Sequence, residues 1–173
     1  MGIKLGVNID HAATLRNARN ENDPSILEFA IAAQNAGADS ITMHLREDRR
    51  HIRDEDVFLA KAHLKIPLNF EMAANREMLA IALELKPKSV CLVPERREEI
   101  TTEGGLDLSR NTDFLKDLSE RLEKEDIQVF LFVEPDEKMV RLANQIGATG
   151  IEVHTGSYAH SFFSARQFEQ KFE

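Results

Sequence analysis

The sequence is short of cysteine, of long apolar runs and of positive charge, and each shortage excludes a class of protein. Cys91 is the single cysteine, so the chain cannot close an internal disulfide, and we expect a reducing compartment, the cytoplasm. No apolar stretch approaches the length of a bilayer span, and residues 1–5 lead into a strand pattern without a signal-like apolar region. We therefore expect no membrane partner.

Positive charge is scarce because 22 Lys and Arg residues stand against 30 Asp and Glu residues, which gives a net charge of −8. Nucleic acids attract proteins through their phosphates, so nucleic acid is not an expected partner. Local basic clusters can still bind a small anion. With 173 residues the chain is long enough for one domain with a sizeable core, and we interpret 1–173 as a single domain.

Six short apolar runs alternate with helical patterns along the chain. The predicted strands are 3–9, 40–45, 68–72, 89–93, 129–133 and 150–153. The first predicted helix starts at an Asp23-Pro24 cap and ends near Gly37, and the others cover 53–63, 75–85, 111–124 and 136–146. The tail, 158–173, is the sixth helix if it is helical. This alternation predicts a parallel sheet with right-handed crossovers.

Two architectures contain such a sheet. An open doubly wound sheet is expected to carry a glycine-rich turn after its first strand, but Asn8-Ile9-Asp10-His11-Ala12 stands there instead. The closed barrel is therefore favoured, and the predicted fold class is α/β, a TIM (β/α)8-type barrel of which six βα units are present. A complete barrel has eight units and about 250 residues, so we expect the last two units to be missing from this chain.

Ionisable or amide side chains end each predicted strand, as they do at the active-site edge of a barrel. Alternatively, each could be a capped turn, a solvated charge run or a structural ion pair. These strand-end residues are Asn8, Asp10, His11, His44, Arg46, Glu71, Glu95, Glu134, Glu152 and His154.

Two of these side chains, His44 and Glu71, stand in apolar strand patterns. A neutral imidazole held there can exchange protons near pH 7, and an apolar setting is expected to raise the pKa of Glu71. Arg16 and Arg19 are candidates for bidentate phosphate binding. The histidines lack the spacing of a zinc motif, so no metal site is expected. Cys91 lies between apolar residues and is expected to pack in the core.

The motifs together resemble those of the pyridoxine 5′-phosphate synthase family, a family of barrel enzymes. The resemblance covers nearly the whole chain in order, and motifs of this length are highly specific. The matching stretches are GVNIDHAATLRNAR at 6–19, AGADSITMHLREDRRHI at 36–52, NFEMA at 69–73, KPKSVCLVPERREEITTEGGLD at 86–107 and IEVHTGSYA at 151–159.

The resemblance implies an activity and a role for each matching residue. The reaction condenses 1-deoxy-D-xylulose 5-phosphate with 3-amino-2-oxopropyl phosphate to pyridoxine 5′-phosphate, phosphate and water, without a metal or redox cofactor, and the complete form is a homo-oligomer. His44 and Glu71 would be proton acceptors, and Glu152 would stabilise charged transition states. Asn8 and Arg19 would contact the amino-ketone phosphate. The ligands of the sugar phosphate would be Asp10, His11, Arg46, His51 and Thr101.

One part of the family pattern is missing from the sequence. The family has two more βα units, with a glycine-histidine motif that supplies a proton donor and glycine-rich turns that hold the second phosphate. We therefore expect the 173-residue chain to be catalytically impaired. One alternative is a truncated, non-catalytic phosphate-binding remnant. Another phosphosugar isomerase or aldolase is a weaker alternative, since a Schiff-base aldolase needs a strand-end lysine and none of the six predicted strand ends has one.

Overall fold

The computed structural model describes residues 2–95 and 104–161. Within these ranges no helix is long and apolar enough to cross a membrane. A helical stretch begins at Gly156, and the rest of the predicted tail helix lies outside the described residues. The strands are β1 Gly6–Asn8, β2 Ser40–His44, β3 Leu68–Met72, β4 Ser89–Leu92, β5 Gln128–Val133 and β6 Gly150–Val153. The helices between them are α1 Asp10–Arg19, α2 Ile26–Asn35, α3 Asp54–His63, α4 Arg76–Leu85, α5 Thr112–Glu123 and α6 Glu137–Ile146.

The six strands form one sheet in sequence order, β1 to β6, and every neighbouring pair is parallel. A doubly wound sheet reverses its strand order at a switch point, whereas a (β/α) barrel adds each strand beside the last one. The order found here is that of the barrel. It confirms the predicted α/β fold of the TIM-barrel type, partially present as a six-stranded half-barrel.

The two faces of the sheet differ in chemistry because side chains alternate along each strand. Met43, Phe70 and Leu131 are fully buried and belong to the apolar core that the helices cover. Burying each such side chain is worth roughly 1.5–3 kcal/mol. The opposite face lines the interior of the half-barrel, and there the register places His44 beside Glu71. The apolar face therefore packs the sheet against its helices, and the polar face carries the candidate catalytic side chains.

Side-chain caps start several helices. The side chains of Asn75 and Asp136 accept hydrogen bonds from backbone N–H groups of the first turns of α4 and α6, which confirms both predicted caps. The predicted start of the first long helix was wrong. Ser25 caps α2 by accepting from the N–H of Glu28, and Asp23 lies two residues before that cap. A hydroxyl next to the first helical residue satisfies the orphan N–H groups directly, which a more distant carboxylate cannot do.

The helix α1 was missing from the sequence prediction, and tertiary contacts explain its presence. Its N-cap residue Ile9 makes no side-chain cap, so the usual start signal is missing. Arg16, only 4% exposed, makes two bonds of 2.6 and 2.9 Å to Asp56 and donates to the carbonyl oxygen of His51 at 3.0 Å. Arg16 is therefore a structural residue, and its candidacy as a phosphate ligand was wrong.

Candidate active site

A cavity of about 330 Å³ opens at the carboxyl ends of the strands. Parallel strands bring their carboxyl ends to the same edge of the sheet, so side chains that are distant in sequence meet there. The cavity is lined by His44, Arg46, Glu71, Val93, Pro94, Gly104, Phe132 and Glu152. Four of the predicted site residues thus share one cavity.

His44, at the end of β2, lies between two carboxylates. Its Nε2–H donates to Oε1 of Glu95 at 2.8 Å, and its Nδ1 lies 3.9 Å from Oε2 of Glu71. The backbone N–H of His44 donates to Oδ1 of Asp10 at 2.8 Å, which joins the ends of β1 and β2. A proton on Nε2 leaves Nδ1 as the basic nitrogen that faces Glu71 and the cavity.

Glu95 supports His44 from a site that solvent barely reaches, since its side chain is 3% exposed. Its second oxygen accepts from the N–H of Glu47 at 3.0 Å. Burial by itself raises the pKa of Glu95, but the hydrogen bonds from His44 and Glu47 and the nearby charge of Arg46 outweigh it and lower the pKa below its usual value. Glu95 is therefore ionised, and it can stabilise a positive charge on His44.

Glu71 has a raised pKa, as its apolar sequence neighbours predicted. Burial is the main cause, and the negative charges of Glu152 and Asp10 add to it, so that the pKa rises from 4.5 to about 8. At neutral pH this carboxyl group is mostly protonated, and it exchanges its proton within the working range of an acid–base catalyst. Glu71 can therefore donate a proton first and accept one afterwards.

Cys91 is buried, as expected, but it faces the interior of the half-barrel and not the helix-covered core. The register places it beside Glu71, and its thiol donates to Oε2 of Glu152 at 3.5 Å. Burial, and then the charges of Glu152 and Glu71, raise the pKa of the thiol. Cys91 therefore stays protonated and is not a nucleophile.

Asp10, Asn8 and His51 border the same region. Asn8 Nδ2 donates to Oδ2 of Asp10 at 2.9 Å, and the N–H of Asp10 donates back to Oδ1 of Asn8 at 2.9 Å. The His51 ring stands edge-on to His44, with the ring centroids 5.9 Å apart, and its Nδ1 accepts from the N–H of Ile52 at 2.8 Å. Burial lowers the pKa of His51 although Asp10 opposes this. His51 is therefore a neutral ring with its proton on Nε2, a donor for an oxygen ligand.

Arg46 has spare capacity to bind an anion. Its guanidinium lies 3.7 Å from Asp48 and 3.7 Å from Glu95, beyond hydrogen-bond distance of either. In the part of the chain that the structure describes, its buried Nε has no hydrogen-bond partner. A buried donor without a partner costs free energy, and an anion in the cavity would supply the missing acceptor.

Arg19 and His11, two further predicted ligands, are not among the residues that line the cavity. Arg19 ends α1 with its side chain 60% exposed and lies 3.3 Å from Glu21, and His11 is exposed on the same helix. Thr101 and most of the predicted loop at 95–107 lie outside the described residues. The roles of Arg19, His11 and Thr101 stay predictions.

Asp10, His44 and Glu71 each offer one ligand atom within 4.8 Å of the other two, a spacing at which they could hold a metal ion. The same spacing suits proton transfer between an imidazole and two carboxylates. His44 would have to bind the metal through Nδ1, because its Nε2–H is donated to Glu95.

Two carboxylate–histidine pairs were not predicted from the sequence. Glu95 and Glu134 were recognised as strand-end residues without roles, whereas the structure pairs Glu95 with His44 and Glu134 with His154 at 2.9 Å. The usable signal was a carboxylate ending one strand and a histidine ending another strand of the same parallel sheet.

Comparison with known proteins gives a consistent result. A family model described as pyridoxal phosphate biosynthesis protein PdxJ matches residues 5–173. The pyridoxine 5′-phosphate synthase of Ehrlichia canis is 58% identical over 159 residues, which cover 92% of this chain and 67% of that protein. The synthases of Hydrogenobaculum sp. and Ehrlichia chaffeensis are each 54% identical, over 92% of this chain and 67% and 66% of theirs. The chain thus spans about two thirds of the length of these relatives.

Solved structures support the fold. Two structures of mandelate oxidase variants, one with benzoyl-formic acid and one with a monooxide FMN adduct, superpose with TM-scores of 0.53 and 0.51. They cover 72% of this chain and 43% and 42% of theirs, at 14% and 15% identity. At such identities the likeness concerns the fold alone.

Proposed function

Because this chain belongs to the pyridoxal phosphate biosynthesis protein PdxJ family, we propose that it acts as a pyridoxine 5′-phosphate synthase. The family is one of enzymes, since its curated members are named as synthases. The proposed reaction condenses 1-deoxy-D-xylulose 5-phosphate with 3-amino-2-oxopropyl phosphate and releases phosphate and water. The observation that carries the proposal is the position of His44, held by Glu95 and facing Glu71 in the cavity.

The reaction needs several proton transfers, because amine condensation, dehydration and phosphate elimination each move a proton. Nδ1 of His44 accepts a proton, and Glu95 stabilises the imidazolium that results. Glu71, with a pKa of about 8, donates a proton to a leaving oxygen and then accepts the next one. Nδ1 of His44 and Oε2 of Glu71 are 3.9 Å apart, so a substrate atom that lies beside both of them can exchange protons with either group.

The surrounding side chains bind the substrate phosphate and stabilise the charge that forms during the reaction. Arg46 and the Nε2–H of His51 are donors for the sugar phosphate, and Asp10 orders the backbone between β1 and β2. Glu152 lines the same cavity, where its carboxylate stabilises the cationic nitrogen that amine condensation creates. These assignments make small phosphorylated molecules the substrates.

The test is product formation from the two phosphorylated substrates. Two versions are compared: the 173-residue chain, and that chain extended by the carboxyl-terminal third of the Ehrlichia canis relative. We expect the extended version to be far faster, because barrels often place a phosphate site after strands seven and eight. Equal rates would refute the expected need for the extra units, and no product from either version would refute the synthase proposal.

The non-catalytic alternative, a phosphate-binding remnant, is tested by measuring substrate binding together with product formation. A phosphate-binding remnant would bind 1-deoxy-D-xylulose 5-phosphate in a calorimeter and form no product even when extended. We further propose that the complete protein is a cytoplasmic homo-oligomer that works without a metal or redox cofactor, as the family resemblance implies.

A further inference from the structure

A second carboxylate–imidazole pair lies at the ends of β5 and β6. Glu134, 7% exposed, accepts at Oε1 from Nδ1–H of His154 at 2.9 Å and from the backbone N–H of Gly105 at 2.7 Å. The N–H of His154 donates to the carbonyl oxygen of Val133 at 2.8 Å, which continues the pairing of the two strands. One carboxylate oxygen therefore joins two strand ends to the segment that precedes α5.

Three glycines make this contact sterically possible. A Cβ on Gly156 would lie 2.8 Å from the His154 ring, and one on Gly104 would lie 3.1 Å from it. A Cβ on Gly105 would lie 2.6 Å from the backbone nitrogen of Glu134, closer than real Cβ contacts come. The imidazole thus lies close to two glycines, and a third glycine lets the chain approach the backbone of Glu134.

The pair also adjoins the reaction cavity. Gly104 and Phe132 both line that cavity together with His44 and Glu71. The His154 ring packs edge-on against Phe132, with the ring centroids 5.3 Å apart and the planes at 67°. The neighbouring Leu106 N–H donates to the carbonyl oxygen of Phe132 at 2.8 Å. Gly104 and Phe132 form one wall of the cavity. Glu134 and His154 contact this wall through the ring of Phe132 and the N–H of Gly105.

We propose that Glu134 and His154 are positioning residues, which hold the wall formed by Gly104 and Phe132 in place against the substrate without touching it. This inference rests on the proposed function. It also predicts which substrate is affected. Thr101, an expected sugar-phosphate ligand, precedes Gly104 by three residues in the chain. Asn8, an expected ligand of the amino-ketone phosphate, ends β1, at the other end of the strand order.

The first experiment needs no activity. Amide hydrogen exchange at Gly105 is measured by NMR in the unsubstituted protein, in His154→Phe and in Glu134→Gln. His154→Phe keeps a ring next to the glycines but removes the donor to Glu134, whereas Glu134→Gln keeps an oxygen acceptor for Gly105. We expect exchange at Gly105 to be about tenfold faster in His154→Phe and to change less in Glu134→Gln. Unchanged exchange in His154→Phe would overturn the proposed contact.

The second experiment separates positioning from general structural support. In the extended version, His154→Phe is expected to raise the KM for 1-deoxy-D-xylulose 5-phosphate by about tenfold, while the KM for the amino-ketone phosphate changes by less than about twofold. A general loss of folded protein would lower the apparent kcat and leave both KM values alone. His154→Asn keeps a side-chain N–H and is expected to restore part of the difference.

His63→Phe makes the same change at an exposed histidine at the end of α3, and neither KM value should change. Equal KM changes for both substrates in His154→Phe, or none, would overturn the positioning role. Absence of product from the unsubstituted protein, in both the 173-residue and the extended version, would instead refute the proposed function, and exchange at Gly105 would still decide whether the contact exists.

Discussion

Replacing Glu95 by Gln removes the negative charge that supports His44. Because both carboxylate oxygens accept from N–H groups, of His44 and of Glu47, the amide also leaves one of these donors without its acceptor. The two side chains have the same shape, so the substitution removes a negative charge without opening a cavity. Glu95 is 3% exposed and accepts from Nε2–H of His44 at 2.8 Å. A hydrogen bond to a charged group of this kind is worth about 1.5–3 kcal/mol.

The hydrogen bond from His44 to Glu95 affects the rate because it strengthens as His44 takes up a proton in the transition state. A loss of about 1.5–3 kcal/mol from the transition state lowers kcat roughly ten- to a hundredfold. The KM values should change little, since Glu95 is not among the residues that line the described cavity. We expect Glu95→Gln to show this kcat effect in the extended version, with an unchanged circular dichroism spectrum.

The assay is the steady-state rate of pyridoxine 5′-phosphate formation, with each substrate varied in turn. Glu137→Gln is the control, because Glu137 is exposed and forms a surface ion pair with Arg141 at 3.0 Å on α6. The supporting role of the Glu95 charge is refuted if Glu95→Gln keeps the full kcat, or if only the KM values rise. The first result would make Glu95 purely structural, and the second would make it a substrate ligand.

Three further predictions concern other contacts. Glu71→Gln should lose most activity while folding normally. The pKa of Glu71 is raised from 4.5 to about 8 in the folded protein. The protonated carboxyl group therefore contributes its full stabilisation of the folded state below pH 4.5, and this stabilisation is lost as the pH rises to about 8. Urea unfolding between pH 4.5 and about 8 should show this decrease in the free energy of unfolding for the unsubstituted protein and a smaller decrease for Glu71→Gln. The same dependence of the free energy of unfolding on pH in both proteins would contradict the raised pKa. Asp56→Asn breaks the buried pair with Arg16 and should lower the free energy of unfolding by about 3–5 kcal/mol, whereas a change below about 1 kcal/mol would mean that the pair is dispensable. Ser25→Ala removes the α2 cap and should cost about 1 kcal/mol by the same measurement, with a threonine at this position restoring most of it.

The strands could be predicted because each is a short apolar run with a turn on either side. The predictions 68–72 and 150–153 coincide with β3 and β6, whereas the prediction 3–9 is longer than β1, Gly6–Asn8. Apolar residues on both sides of Asn8 extended the predicted strand beyond the stretch that finds a neighbour to pair with. Strand ends depend on pairing, and pairing is a tertiary property.

The helix α1 shows the same limit more strongly. Its residues include few apolar side chains, and its start lacks a side-chain cap. It is held by Arg16 and Asp56, which are 40 residues apart in the sequence. Local patterns carry no information about a contact over that distance, so the helix could not be predicted from its own residues.

The sequence by itself determined the fold class and the chemistry available at one edge of the sheet. Alternation of apolar strands with helices requires a parallel sheet, and the polar residue that ends each strand must then lie at the carboxyl edge. His44, Arg46, Glu71 and Glu152 were predicted in this way, and they line one cavity.

Only the tertiary structure decided which of these groups face each other and in which protonation state. The register of β2 and β3 places His44 beside Glu71, and the end of β4 brings Glu95 to Nε2 of His44. Burial then raises the pKa of Glu71, while hydrogen bonds keep Glu95 ionised. Distances and burial set proton affinities, and both arise only when strands that are separate in the sequence become neighbours.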